Sequence, residues 1–83
     1  MIYPNPIVDG TINLLIINQP EGSYGVRLIN ELGQILWSKK VWHQEGSSTE
    51  KFSMGNFSTQ GVYNLEITKP DNNKLTQKII YTR

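Results

Sequence analysis

The sequence contains no cysteine and no alanine, and it has a single histidine. Without cysteine the chain can form no disulfide, no thiolate metal site and no cysteine nucleophile. The longest apolar run covers only residues 14–17, far short of the roughly 20 residues that a membrane-spanning helix needs. The first residues also lack the basic and then apolar pattern of a signal peptide. We therefore expect either a cytoplasmic protein or, preferably, a piece of a longer exported one.

Charge of either sign is scarce and nearly balanced. Eight Lys and Arg residues face seven Asp and Glu residues, which gives a net charge of +1, with 18% of the chain charged. Because nucleic-acid binding depends on a strong basic excess, no nucleic-acid partner is expected. The 83 residues predict one domain, spanning 1–83, with a small core of Ile, Leu, Val and aromatic side chains.

Short apolar stretches alternate with turn signals along the whole chain. Frequent β-branched and aromatic residues favour strands over helices. The loop at residues 30–34, with Gly33 between two apolar runs, predicts a hairpin, and Gly61 predicts a backbone conformation that is costly for other residues. The sequence predicts an all-β sandwich or barrel with strands near residues 11–18, 24–30, 34–42, 49–53, 61–69 and 74–82.

The run at residues 34–42 carries both tryptophans of the chain. Trp37 and Trp42 are five positions apart, so a regular strand would place them on opposite faces. Strict alternation groups Trp37 with Ile35 and Val41 on one face of that strand. One tryptophan should pack in the core, and the other should be exposed, where it could stack on a sugar or a partner.

Candidates for catalysis are few. His43 has no cysteine or carboxylate cluster beside it and is expected to be a surface loop histidine. Asp9 and Asp71 stand in turn signals, where aspartate favours hydrogen bonds to nearby backbone. The serines lack a base partner, and no glycine-rich phosphate loop is present. The sequence therefore predicts no catalytic residue, no metal site and no cofactor.

The two ends of the chain carry distinctive patterns. The segment at residues 3–6 reads YPNP, and its prolines lack backbone N–H groups, so it can be at most an edge strand or an extended lead-in. The last ten residues include Lys74, Lys78 and Arg83 but no acidic residue. That pattern is typical of a final strand whose lysines keep a sheet edge soluble.

Four motifs, in order, resemble those of the type A C-terminal sorting domain of the type IX (Por) secretion system of the Bacteroidetes. They are the YPNP start, an alternating hydrophobic hairpin ending at a glycine, an apolar block ending in Gly-Val-Tyr, and a Lys-hydrophobic-hydrophobic ending. The resemblance covers essentially the whole chain. The residues that carry the first three motifs, expected to be structural, are Tyr3, Pro4, Asn5, Pro6, Gly33, Gly61 and Tyr63.

This resemblance implies a small immunoglobulin-like β-sandwich of about seven antiparallel strands, without catalytic activity or cofactor. It implies a signal that directs a covalently linked upstream cargo through the periplasm and across the outer membrane to the cell surface or the medium. The implied partners are an outer-membrane shuttle and a sortase-like peptidase, which would remove the domain and attach the cargo to the surface. We expect the machinery to recognise the end of the chain, at Lys78, Ile79, Ile80, Tyr81 and Arg83.

Other functions fit the same residues. An immunoglobulin- or fibronectin-like module could bind carbohydrate or mediate adhesion through Trp37 or Trp42, and a structural spacer between domains is a third possibility. Because terminal strands of a small sandwich can exchange between chains, a homodimer through edge or swapped strands is a further prediction.

Overall fold

The computed structural model describes residues 2–4, 10–55 and 59–82. These parts contain no helix, and so none that could cross a membrane. All six strands predicted from the sequence are confirmed, as is the all-β fold class. The seven strands are β1 (Ile2–Pro4), β2 (Thr11–Gln19), β3 (Gly22–Ile29), β4 (Ile35–His43), β5 (Gly46–Ser53), β6 (Gly61–Thr68) and β7 (Lys74–Tyr81).

The strands form two antiparallel sheets. One sheet has the order β1-β2-β5 and the other has the order β4-β3-β6-β7. Strands that are neighbours in sequence often lie in different sheets, as in Greek-key sandwiches of the immunoglobulin type. The predicted immunoglobulin-like sandwich agrees with this arrangement.

The core lies between the two sheets and follows the alternation of the strands. On β2, Ile12, Leu14 and Ile16 are buried, and on the facing sheet Leu28 of β3 lies directly opposite Leu65 of β6. Cross-strand pairs of this kind bury one face of each strand and leave the other to solvent. The remaining buried apolar residues are Ile2, Tyr24, Val26, Phe52, Met54, Tyr63, Ile67 and Ile79.

A β-bulge near the start of β4 changes which residues face the core. Trp37 pairs with Leu28, whereas Ile35, two positions earlier, pairs with the next residue of β3, Ile29. The extra residue turns Ile35 to the outer face, where it is 51% exposed. The prediction that Ile35 shares a face with Trp37 is therefore wrong.

The two tryptophans lie on opposite faces, as predicted. Trp37 is partly buried against the core and stacks on Phe52 with ring centroids 5.5 Å apart. Trp42 is 64% exposed on the outer face. Trp37 therefore contributes to packing, and only Trp42 offers a free aromatic surface.

The β3–β4 and β6–β7 hairpins have the same loop geometry: backbone hydrogen bonds from Asn30 to Gln34 and from Lys69 to Asn73 leave three residues in each turn, 31–33 and 70–72. Gly33 N–H donates to the Asn30 carbonyl (3.0 Å) with Gly33 at φ 84°, and Asn72 N–H donates to the Lys69 carbonyl (2.9 Å) with Asn72 at φ 70°. A turn followed by one left-handed residue suits this loop length, and glycine or asparagine tolerates that conformation best. The predicted hairpin is confirmed.

Asp71 helps to organise the second of these loops. Its carboxylate accepts a hydrogen bond from the Asn73 N–H (3.0 Å), as the sequence predicts for an aspartate in a turn. Asp9, for which the same role is predicted, lies outside the described residues.

The β6–β7 loop packs onto the start of β3. Pro70 of the loop lies so close to Gly22 that a Cβ on this glycine would stand 2.6 Å from the proline Cγ. Nearby, the Tyr24 hydroxyl donates to the Pro20 carbonyl (2.7 Å). Burial, and to a smaller extent the Asp71 carboxylate, raises the pKa of Tyr24, so the side chain stays a neutral donor at ordinary pH.

His43 is a core residue, and the prediction of a surface loop position is wrong. It is the last residue of β4 and only 1% exposed, because β5 turns back across it. Its Nε2 lies 3.1 Å from the Gly46 carbonyl, which can only accept, so Nε2 carries the hydrogen and Nδ1 accepts from Ser48 Oγ (2.8 Å). With both ring nitrogens paired, His43 fixes the β4–β5 turn.

Candidate functional site

The last strand forms one edge of the four-stranded sheet. β7 pairs with β6 alone, through partners such as Tyr63 and Ile79. Among the described residues, no strand is hydrogen-bonded to its other side, and the nearest element of the second sheet is β1. Gln77 reaches that strand by donating its side-chain amide to the Ile2 carbonyl (3.4 Å). Within residues 2–4, 10–55 and 59–82, the outer backbone edge of β7 is therefore unpaired.

The predicted recognition residues divide between the two faces of β7. Ile79 is buried, and Tyr81 is half-buried with its ring 6.5 Å from that of Tyr63. Lys78 and Ile80 point to the outer face and are exposed, Ile80 by 66%. The first pair therefore anchors the strand, and the second pair is presented to solvent. Arg83 lies outside the described residues.

Ile80 belongs to a group of apolar residues on the outer face of the sheet. It pairs with Val62 on β6, and the neighbouring row of the sheet contains Ile29 paired with Ile35. We call these four residues the outer apolar patch. Pairing in the sheet places their side chains on one face. The row that contains Ile29 ends on β7 at Lys78, so the outer apolar patch lies next to the lysine at the open edge.

The lysines of β7 form no ion pair with any acidic side chain that the structure describes. Lys74 and Lys78 are exposed on the outer face, and β7 itself contains no acidic residue. Within the described ranges the one ion pair joins Arg27 to Glu66, which is the acidic residue closest in register to these lysines. Because that carboxylate is already paired with Arg27, the described part of this edge carries a net positive charge.

Tyr63 and Gly61 shape the entry into β6. The Tyr63 hydroxyl donates to the carbonyl of Thr59 and accepts from its N–H (3.1 Å), an arrangement that matches the tyrosine corner of immunoglobulin-like sandwiches. Gly61 adopts φ 155°, which residues with a side chain rarely do. These contacts support the predicted structural role of both residues.

Glu31 joins the first hairpin to β6, a role that no sequence motif indicates. Its carboxylate accepts a hydrogen bond from the Val62 N–H (3.1 Å) and lies close to Gly61. The contact ties the Gly33 hairpin to the start of β6. Such a contact between residues 31 positions apart leaves no local signal in the sequence.

The YPNP segment begins at the edge of the other sheet. β1 is an edge strand, with Tyr3 paired to Leu15 and Pro4 paired to Leu14. This confirms the expectation that proline confines the segment to a sheet edge. Asn5 and Pro6 lie outside the described residues.

No group of three or more His, Asp or Glu side chains that could hold a metal occurs in residues 2–4, 10–55 and 59–82. The geometry instead concentrates distinctive features at one sheet edge. There, as far as the structure describes the chain, an unpaired strand edge, two lysines outside any ion pair and the outer apolar patch lie together.

Comparison with protein families agrees with the sequence motifs. The family model of the secretion system C-terminal sorting domain matches residues 1–82. No curated protein and no solved structure matches the chain. The family match extends from the YPNP segment through both hairpins to the end of β7. The chain therefore belongs to the family of type IX secretion C-terminal sorting domains.

Proposed function

We propose that the type IX machinery recognises this sorting domain at the end of β7, through Lys78, Ile79, Ile80, Tyr81 and Arg83. The observation that carries the proposal is the open β7 edge, where Ile80 is 66% exposed beside an unpaired Lys78. Contiguous exposed apolar patches commonly mark contact surfaces, and Ile80 lies at the β7 end of the outer apolar patch, paired with Val62. The buried members, Ile79 and Tyr81, would hold that surface in place.

The steps around recognition are part of the same proposal. The domain, itself without catalytic activity, would accompany a covalently linked upstream cargo through the periplasm and engage an outer-membrane shuttle. A sortase-like peptidase would then remove the domain, and the cargo would be attached to the cell surface or released. Membership of the sorting-domain family supports this sequence of events. A homodimer through edge or exchanged strands remains a separate prediction.

A secretion assay tests recognition at β7. A fluorescent reporter that carries an inner-membrane signal peptide and this domain at its C-terminus is expressed in a host with a type IX system. Deletion of residues 78–83 is expected to abolish secretion. Because the deletion also removes the buried Ile79, the double substitution Lys78→Ser/Ile80→Ser is the decisive variant. It changes only exposed side chains and is expected to lower secretion about tenfold, the effect of losing roughly 1.4 kcal/mol of binding.

The opposite edge of the same sheet supplies a matched control. On β4, Lys40 and Trp42 are likewise an exposed lysine and an exposed large apolar residue. Neither belongs to the outer apolar patch, and Lys40→Ser/Trp42→Ser should leave secretion unchanged. Thermal unfolding of each purified domain checks that both double variants are folded. Full secretion of the β7 variant, or of the deletion, would contradict recognition at this strand.

Carbohydrate binding is a second candidate function, favoured by one observation. That observation is the exposure of Trp42, which is 64% exposed on the outer face of β4. An exposed indole can stack on the apolar face of a sugar ring. If the domain binds polysaccharide in this way, its migration in affinity gels should be retarded, and Trp42→Ala should remove the retardation. Unretarded migration in gels that contain a range of neutral and acidic polysaccharides would exclude this function.

A further inference from the structure

We infer that the machinery completes the β7 edge with an added strand that is apolar opposite Ile80 and acidic opposite Lys78 and Lys74. The inference rests on the proposed recognition at β7 and specifies the chemistry of the partner. It follows from the open edge, the outward alternation of β7, and the charge of its lysines.

The open edge sets the mode of binding. An extended segment that adds to a sheet gains backbone hydrogen bonds, and its alternate side chains meet those of the edge strand. On the outer face β7 presents Lys74, Thr76, Lys78 and Ile80 at intervals of two. Every second side chain of a partner strand would therefore contact the outward side chains of β7.

Charge determines what that strand must carry. Neither Lys74 nor Lys78 has a carboxylate within 4.0 Å among the described residues. The acidic residue closest to them in register, Glu66, is paired with Arg27. Opposite charges directly across two strands stabilise their pairing, and like charges oppose it. A strand with carboxylates at these two positions would supply the missing partners.

Ile80, the apolar residue among these outward side chains, extends the contact surface for a partner beyond the sheet edge. Ile80 continues into the outer apolar patch through its pairing with Val62. An apolar side chain opposite Ile80 would cover the end of this patch. The partner strand should thus have an apolar residue opposite Ile80, an acidic residue opposite Lys78, any residue opposite Thr76 and an acidic residue opposite Lys74. This pattern is not symmetric, so it defines the order of the partner's residues as well as their types.

A second copy of the chain fits this edge poorly. Pairing two β7 strands would gather four lysines on one face, because each strand carries Lys74 and Lys78 and no acid. Edge lysines of this kind disfavour self-association of sheets. The same lysines that oppose a second β7 would favour an acidic strand.

Titration with a short synthetic peptide tests the pattern. In the antiparallel direction the peptide carries Val, Glu, Thr and Glu opposite Ile80, Lys78, Thr76 and Lys74, with threonine between them. In NMR spectra of the isotope-labelled domain it should shift the backbone amides of β7 and leave those of β4 unchanged. A matched peptide with lysine in place of glutamate should bind about tenfold more weakly, and domain variant Lys74→Glu/Lys78→Glu should reverse this preference.

Any other result of the peptide titration contradicts the inference. Absence of β7 shifts, equal affinity for the two peptides, or shifts located on β4 would exclude an acidic added strand. Amide shifts on β7 that grow with domain concentration alone would identify a second copy as the occupant.

Secretion of the reporter separates the inference from the function on which it rests. With the unaltered domain, failure of secretion would refute the proposed function whatever the peptides do. If the unaltered domain is secreted, Lys74→Glu/Lys78→Glu should abolish secretion. The control Lys40→Glu/Lys51→Glu reverses the charge of exposed lysines on β4 and β5 and should leave secretion unchanged. If both charge-reversal variants are secreted, the inference of an acidic partner strand is wrong and the proposed sorting function still stands.

Discussion

Replacing Leu65 with alanine is expected to lower the free energy of unfolding by about 3–4 kcal/mol. Leu65 is fully buried at the centre of β6 and lies between Leu28 of β3 and Gln77 of β7. Truncation loses the transfer free energy of the deleted carbons and leaves a cavity, because strands paired on both sides cannot close in. In a domain of this size the total stability is only about 5–10 kcal/mol.

Thermal and urea unfolding measure this effect. The midpoint temperature should fall by roughly 12–24 °C for a loss near 3 kcal/mol in a domain of this length. Leu32→Ala is the matched control, since it makes the same chemical change at a residue that is 83% exposed, and it should stay within about 0.5 kcal/mol of the unaltered domain. A Leu65→Ala domain that loses less than about 1 kcal/mol would contradict the described core.

The same variant separates folding from recognition in the secretion assay. Recognition of a surface on β7 requires that β6 holds the strand in place, through pairs such as Tyr63 with Ile79. Leu65→Ala should therefore reduce secretion together with stability. Lys78→Ser/Ile80→Ser should reduce secretion while unfolding normally. Two variants with the same loss of secretion would thus differ in their unfolding curves.

Most of the fold could be predicted from local patterns. Apolar stretches between turn signals placed β2, β3 and β6, and Gly33 marked the first hairpin. These features depend on neighbours within one strand or turn, where backbone geometry and side-chain period act directly. The opposite placement of Trp37 and Trp42 followed from the same period.

The errors in prediction arose where a distant segment decides the outcome. The bulge that exposes Ile35 depends on the register between β4 and β3, and the burial of His43 depends on β5 passing over its ring. Neither partner can be identified from the residues beside the affected position. A histidine between Trp42 and Gln44 has the same local sequence whether it is covered or exposed.

The candidate site shows the same division. The motif at the end of the chain identified the strand, and alternation could separate the inward Ile79 and Tyr81 from the outward Lys78 and Ile80. The outer apolar patch could not be predicted, because Ile29, Ile35 and Val62 reach Ile80 only through the pairing of four strands. The sequence can indicate which strand is the candidate for recognition, but the surface around that strand is a property of the assembled sheet.

Replacing Gly22 with alanine is expected to cost about 3 kcal/mol, for two separable reasons. Gly22 adopts φ 153°, a conformation that residues with a side chain rarely take. An added Cβ would also stand 2.6 Å from Cγ and 2.8 Å from Cβ of Pro70, whose ring cannot rotate away. Gly25→Ala is the matched control on the same strand, because its new Cβ would meet Thr68 at an ordinary 3.6 Å.

Urea unfolding of a double-mutant cycle divides the two causes. Pro70→Gly removes the ring that the new methyl would strike, so the loss from Gly22→Ala should be smaller by about 1–3 kcal/mol in that background. The part that remains measures the backbone strain at residue 22. An unchanged loss in the Pro70→Gly background would show that packing against the β6–β7 loop does not require glycine. A Gly22→Ala domain as stable as the Gly25→Ala control would contradict both causes, and with them the described contact between this loop and the start of β3.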